Sequence, residues 1–210
     1  LLLCLSACAV PPQKPAQPDL KYLENYLSWY AHREMKKSNV TGLSIALVDA
    51  RGVIWANGFG FADKLGKRLA TPETLYRVGS VSELITASAA MKLVESRRFD
   101  LDHDLTRYLP EFSVKRLEHA AMPITLRSLM THHSGLPSDV LKGMWSSHPQ
   151  PLSSVLSLIR DEYQAYPTDY VLSYSNVGIS LLGLAIERSS GQDFPDFVRD
   201  SLLAPLGMEH

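Results

Sequence analysis

Four side chains in this sequence, Ser80, Glu83, Tyr174 and Asn176, have types and spacing that could do chemistry. Ser80 follows Gly79 and opens an apolar segment from Val81 to Glu95, where Leu84, Ile85, Ala89 and Leu93 recur at helical spacing. A serine hydroxyl is a weak nucleophile until a base or a nearby cation activates it. At a helix start it also lies beside free N–H groups and the positive end of the helix dipole, where an oxyanion would form. Glu83, three positions on, shares its face of the helix. Far along the chain, Tyr174-Ser175-Asn176 stands just before a second apolar helix. Each motif also has a plainer reading. Gly-Ser before a helix is a common N-cap. Asn176 can cap its helix, with Tyr174 as a half-buried aromatic.

The elements that must position these groups follow from periodicity. Leu20 to Lys37 reads as a helix through Leu23, Tyr26, Leu27 and Tyr30. Thr41 to Val48 alternates as a strand. Asp49-Ala50-Arg51-Gly52 is turn chemistry, and Val53 to Phe61 is a second strand, giving a hairpin. Leu101 to Pro110 reads as a loop. Thr125 caps a short helix through Met130. Helices are expected over Leu152 to Tyr163, over Val177 to Ser190 with Gly191 as the stop, and from an Asp193 cap through Leu203.

Composition narrows the class. The chain has 210 residues, 45% hydrophobic and 20% charged, with a net charge of −1. Dispersed lysines and arginines give no basic face, so nucleic acid is not an expected partner. Both cysteines, Cys4 and Cys8, precede the body, which therefore offers no disulfide and no cysteine metal site. No metal or cofactor is implied. His132 and His133 suggest a metal pair, but neighbours on a turn point apart and no glutamate follows at zincin spacing. No G-x-S-x-G elbow occurs, which disfavours an α/β-hydrolase.

The termini carry further expectations. Residues 1–8 read as the tail of a signal peptide, with Leu5-Ser6-Ala7-Cys8 resembling a bacterial lipobox. Cys8 would then carry a lipid and be the only membrane attachment, placing the protein on the periplasmic side of a bacterial envelope; the alternative is a secreted or periplasmic product. Residues 9–19, with Pro11, Pro12, Pro15 and Pro18, read as a semi-rigid tether. The ends look cut, and the expected domain, residues 20–210, is read as incomplete at its C-terminus. On that reading the hairpin lacks sheet partners and the isolated chain is poorly stable.

Several segments together resemble one family. Tyr76-Arg-Val-Gly-Ser-Val-Ser-Glu83 resembles the nucleophile segment of serine β-lactamases and penicillin-binding proteins. Ser173-Tyr-Ser-Asn-Val-Gly-Ile-Ser-Leu-Leu-Gly183 resembles the Y-x-N motif of class C β-lactamases, DD-carboxypeptidases and related esterases. Ile124-Thr-Leu-Arg-Ser-Leu-Met-Thr-His-His-Ser-Gly-Leu-Pro137 and Pro205-Leu-Gly-Met208 match further signatures in the same order. The resemblance runs from about Leu20 to the end. It implies an α+β fold of the β-lactamase/transpeptidase type: an antiparallel sheet flanked by helices, with a helical subdomain and the last strands missing. It implies acyl transfer on a β-lactam, D-Ala peptide or ester through an acyl-Ser80 intermediate. Tyr174 would be the base and Asn176 the contact to the substrate carbonyl. The Ser80 N–H would be one oxyanion donor. His132 would be a structural loop residue bonded to backbone. His133-Ser134-Gly135 imitates the third motif, K-T-G or H-x-G, at the wrong place in the chain.

One position departs from the pattern. The family has lysine three residues after the serine, and this chain has Glu83; no lysine follows a serine at that spacing anywhere. A unit charge pair at about 4 Å and an effective dielectric near 20 is worth roughly 4 kcal/mol. Reversing the sign is a swing of at most about 8 kcal/mol; fully realised, that is a rate loss on the order of 10⁵ or more. Glu83 as a carboxylate can itself be a general base. The readings are therefore a serine hydrolase that tolerates Glu83, or an inactive relative that binds acyl or peptidoglycan-like ligands or a partner at the envelope.

Overall fold

In the computed structural model, residues 10–17, 19–116, 122–140 and 146–208 are described. The lipobox expectation at Cys8 lies outside them, and residues 10–17 form neither helix nor strand. The chain divides into two compact units, residues 1–77 and 78–210.

The first unit contains α1 (Leu20–Ser38), β1 (Gly42–Asp49), β2 (Gly52–Asp63) and β3 (Arg68–Leu69). Asp19 caps α1, its carboxylate accepting the Tyr22 N–H at 2.8 Å, and Asn39 closes the helix in the left-handed region. β1 and β2 pair antiparallel from Gly42 opposite Gly60 to Asp49 opposite Gly52, with an irregularity between Leu47 and Val48. This is the expected hairpin. The short β3, which pairs antiparallel with β2, was not legible because two residues carry no periodicity. The strands meet backbone to backbone at glycines. A Cβ on Gly58 would lie 2.2 Å from the Ala70 carbonyl oxygen, so only glycine fits.

The second unit is helical, with α2 (Val81–Glu95), α3 (Leu126–Met130), α4 (Ser154–Ile159), α5 (Asn176–Ser190) and α6 (Phe194–Val198). α5 is its axis. Val177, Leu181, Leu182, Leu184, Ala185 and Ile186 are all buried, so the helix is apolar nearly all round and central. α2 packs on it through Leu93 and through Ala89 and Ala90, whose small side chains let the two helices approach closely. Leu105, Leu109, Ile124, Leu129, Leu136 and Ile159 complete a continuous core. Each such aliphatic side chain contributes about 1.5–3 kcal/mol by leaving water.

Caps and breaks explain where the helices start and stop. Thr125 caps α3 as expected, in a reciprocal box with Ser128: each hydroxyl accepts the other residue's N–H, at 3.1 and 3.0 Å. The helix expected over Leu152 to Tyr163 is shorter, Ser154–Ile159. The residues beyond are taken by a β-bridge: Lys115 donates to the Glu162 carbonyl at 2.9 Å and Gln164 donates to the Lys115 carbonyl at 2.8 Å. The helix expected through Leu203 is broken into α6, a π turn (Arg199–Leu203) and a 3₁₀ turn (Ala204–Leu206). Pro205 brings no N–H to continue the ladder. Asp193 sits at the N-cap of α6 without a side-chain bond, since Pro195 has no N–H to offer, and the Glu187 carboxylate takes the Phe194 N–H at 3.2 Å. The Leu101–Pro110 loop contains a 3₁₀ turn, Leu105–Arg107, capped by Asp104.

Leu182→Ala removes a fully buried side chain from the axis of the second unit. It is expected to lower stability by about 2–5 kcal/mol, against about 1 kcal/mol for Thr125→Ala, which loses only a cap. Urea denaturation followed by far-UV circular dichroism measures both.

Candidate active site

Ser80, Glu83, Tyr174 and Asn176 lie in the second unit, at the starts of its two main helices. Gly79 takes a left-handed φ of 55°, a conformation suited to glycine, and turns the chain into α2. Ser80 stands at the N-cap position but does not cap: its backbone is helical (φ −67°, ψ −8°) and its hydroxyl bonds no backbone N–H. The Oγ lies instead 2.8 Å from the Tyr174 hydroxyl. The plain N-cap reading of Ser80 is therefore wrong. The Ser80 N–H has no protein partner among the described residues and remains open to a carbonyl oxygen.

The start of α5 separates two jobs that one residue might have shared. Ser175, fully buried, is the cap: its Oγ accepts the Gly178 N–H at 2.9 Å and donates to the Pro137 carbonyl at 2.7 Å. Asn176 is thus the first helical residue, and its amide is free of capping. Its Nδ2 donates to Asp139 Oδ1 at 2.8 Å, and its Oδ1 lies 3.0 Å from the Tyr174 hydroxyl. One Nδ2 hydrogen remains for a substrate oxygen. Beside Asn176 opens a cleft of about 240 Å³, walled by Asp139, Pro151, Leu152, Val155 and Leu158.

Glu83 occupies the third position of α2, where the helix dipole favours a negative charge. Its Oε1 accepts the Tyr174 hydroxyl proton. Its Oε2 lies 3.2 Å from His132 Nε2, and the Glu83 and His132 side chains are only 18% and 17% exposed. His132 Nδ1 lies 3.3 Å from the Ser175 backbone N–H. Because Nδ1 accepts there, the ring proton of neutral His132 sits on Nε2 and points at Glu83. The ring also leans on Tyr174, with centroids 4.6 Å apart.

The hydroxyl of Tyr174 has one proton and two acceptors, Glu83 and Asn176. The carboxylate takes it, because a charge-assisted bond is the stronger. Ser80 then donates to Tyr174, Tyr174 to Glu83, and His132 to the other oxygen of Glu83. The donors all run toward the carboxylate. The bond to Glu83 accordingly pushes the Tyr174 phenol above its ordinary range, assisted by burial and by the charges of Glu83 and Asp139, while Ser80 acts the other way. No lysine or arginine bonds Ser80, Glu83 or Tyr174 among the described residues.

The loop after α3 is held for this purpose. His132 has a left-handed φ of 57°, which costs a non-glycine residue about 1–2 kcal/mol. Backbone bonds over-determine it: Ser173 donates to the His132 carbonyl at 2.7 Å and Asp169 to the His133 carbonyl at 2.8 Å. Gly135 packs so close that a Cβ would lie 1.9 Å from the Tyr166 carbonyl oxygen. Gln164, 2% exposed, donates to the Ser134 carbonyl at 2.8 Å. The two histidines do point apart, His133 Nδ1 donating to the Thr131 carbonyl at 2.7 Å. His132 bonds backbone as expected but also reaches Glu83, which the sequence reading missed. Asp139 was missed too, having no motif around it.

Comparisons with known proteins bear on the family and the fold. The beta-lactamase family model matches residues 30–210. "Protein flp" of Staphylococcus aureus (strain N315) is 28% identical over 178 residues, 84% of this chain and 36% of that protein. The penicillin-binding protein homologue of Pyrococcus abyssi, solved as an octamer, superposes with a TM-score of 0.75 at 30% identity, over 87% of this chain and 43% of its own. The beta-lactamase/D-alanine carboxypeptidase of Yersinia pestis, solved with citrate, gives a TM-score of 0.70 at 25% identity, over 87% and 53% of the two chains. The chain thus spans between about a third and a half of the length of the proteins it matches. The α+β fold is that of β-lactamases and penicillin-binding proteins.

The raised Tyr174 phenol has a testable sign. Its protonated state is favoured by folding, so this contribution is present below the ordinary tyrosine value of about 10 and is lost as pH rises through the higher folded value. An ultraviolet titration of wild type minus Tyr174→Phe is expected to show a phenol ionising above the ordinary tyrosine value of about 10. The Glu83→Gln protein is expected to bring that phenol down.

Proposed function

This chain belongs to the beta-lactamase family, and on that premise we propose that it is a serine hydrolase acting through an acyl-Ser80 intermediate on a β-lactam, D-Ala peptide or ester. The observation that carries the reading is the 2.8 Å contact between the Ser80 and Tyr174 hydroxyls, made across 94 residues of sequence. It places a nucleophile against a proton-transfer group, the geometry acyl transfer requires. The Ser80 N–H at the start of α2, without a partner among the described residues, is one donor toward the developing oxyanion. The remaining Asn176 amide hydrogen and the adjoining cleft would orient the acyl group. The names of the relatives, a penicillin-binding protein homologue and a beta-lactamase/D-alanine carboxypeptidase, support this substrate range.

One observation favours a second reading, a relative that binds acyl or peptidoglycan-like ligands without turnover. Glu83 stands where the family has lysine, and no cation bonds the hydroxyl pair among the described residues. We place the protein on the periplasmic side of a bacterial envelope, lipid-anchored through Cys8. Leu5-Ser6-Ala7-Cys8 and the following prolines support that placement.

Intact-protein mass spectrometry after treatment with a fluorophosphonate or a penicillin separates the readings. A covalent adduct that is absent from Ser80→Ala is expected. No adduct with either reagent would leave only ligand binding.

A further inference from the structure

Catalysis by this serine hydrolase needs a place for the proton of Ser80, and the family's lysine is absent. We infer that Glu83 is that place: the Ser80 proton is relayed through Tyr174 to the Glu83 carboxylate, which His132 positions. The inference rests on the serine-hydrolase reading above and assigns the role that reading leaves open.

The hydrogen-bond directions carry it. Ser80 Oγ is 2.8 Å from the Tyr174 hydroxyl, and that hydroxyl donates to Glu83 Oε1. Tyr174 therefore begins as a phenol. It cannot take a proton without giving one up, and Glu83 is the acceptor already in contact. The second oxygen of Glu83 is engaged by His132 Nε2 at 3.2 Å, and His132 is itself oriented by the Ser175 N–H. The group is thus held on both oxygens with Oε1 turned to the phenol, as a positioned general base should be. The raised Tyr174 phenol agrees, since it keeps a resting phenolate from being the base.

The step balances. The Ser80 oxygen forms a bond to the acyl carbon while its proton passes to Tyr174 and the phenol proton passes to Glu83. The carbonyl π electrons move onto the substrate oxygen. Collapse expels the leaving group, which takes its proton back through Tyr174 from Glu83. Water then attacks the acyl-Ser80 ester by the same route, and Ser80 regains its proton. The groups bonded to the Glu83 carboxylate are Tyr174 from the segment before α5 and His132 from the loop after α3, and Ser80 reaches it through Tyr174. Asp139 bonds Asn176, and its charge acts on Tyr174.

The test is the rate of fluorophosphonate labelling of Ser80 in the full protein across pH. Departing fluoride needs no proton, so the rate isolates Ser80 deprotonation. Glu83→Gln is expected to label about 10²–10⁴-fold more slowly than wild type. Formate is expected to restore part of the rate to Glu83→Ala. His132→Leu is expected to slow labelling about tenfold, the scale of one hydrogen bond to a charged group, and His132→Gln, which keeps an N–H donor, to recover most of it. Labelling of Glu83→Gln as fast as wild type would overturn the relay and leave the serine hydrolase standing. Where Glu83→Gln melts differently from wild type, failure of formate to rescue Glu83→Ala overturns it. No labelling of wild type at any pH overturns both.

Discussion

The hydroxyl of Tyr174 holds one proton between three oxygens, and the rest of the site is arranged around that scarcity. Ser80, Glu83 and Asn176 all lie within hydrogen-bonding reach of it. Only one of them can receive its proton, so the direction of every other bond follows from which one does. Glu83 carries the charge and takes it. Ser80 must then be a donor, and His132 must present its Nε2–H to the other carboxylate oxygen. A single constraint on one atom orders side chains from three separate stretches of chain.

Those stretches are brought together by two helix starts. α2 and α5 pack through small and aliphatic side chains, so their first turns come to one place. The division of labour there matters more than the motifs suggest. Ser175 satisfies the orphan N–H groups of α5, and Asn176 is thereby released for Asp139 and Tyr174. At α2 the reverse occurs: Ser80 leaves its helix without a side-chain cap so that its hydroxyl can face Tyr174. Glu83 in the first turn offsets part of that loss through the dipole. The Ser175 hydroxyl also ties α5 to Pro137, which fixes the His132 loop against the same helix start.

Much of this was legible in the sequence where the physics is local. α2 was read to the residue, because its period is helical and Gly79-Ser80 marks its start. The hairpin and the Thr125 cap were readable for the same reason. The pairing of Ser80 with Tyr174 was not local at all; it was carried by the resemblance. What failed was mostly where a distant segment overrode a local pattern. Residues beyond Ile159 have helical spacing, but Lys115 draws them into a bridge. Asp193 has the chemistry of a cap, but Pro195 at the second helical position offers it no N–H. His132 was readable as a backbone-bonded loop residue. Its contact with Glu83 was invisible, since it spans 49 residues and belongs to no motif with a glutamate in it.

Replacing a lysine by Glu83 changes how charge moves through such a site rather than merely its sign. A cation beside the hydroxyl pair lowers the cost of any negative oxygen nearby, whichever one carries it. A carboxylate does the opposite while it stays charged, and at about 4 Å the penalty is of the order of kcal/mol. The penalty disappears at the moment the carboxylate is protonated. A relay ending on Glu83 therefore neutralises the offending charge in the same step that creates the oxyanion, so negative charge is translocated and not added. His132, as the neutral Nε2–H tautomer, supports the carboxylate before transfer without locking an ion pair that transfer would have to break. A charge-inverted position is compatible with acyl transfer only when proton motion and bond formation are coupled in this way. The unbroken chain of donors from Ser80 to Glu83 is the arrangement that coupling demands.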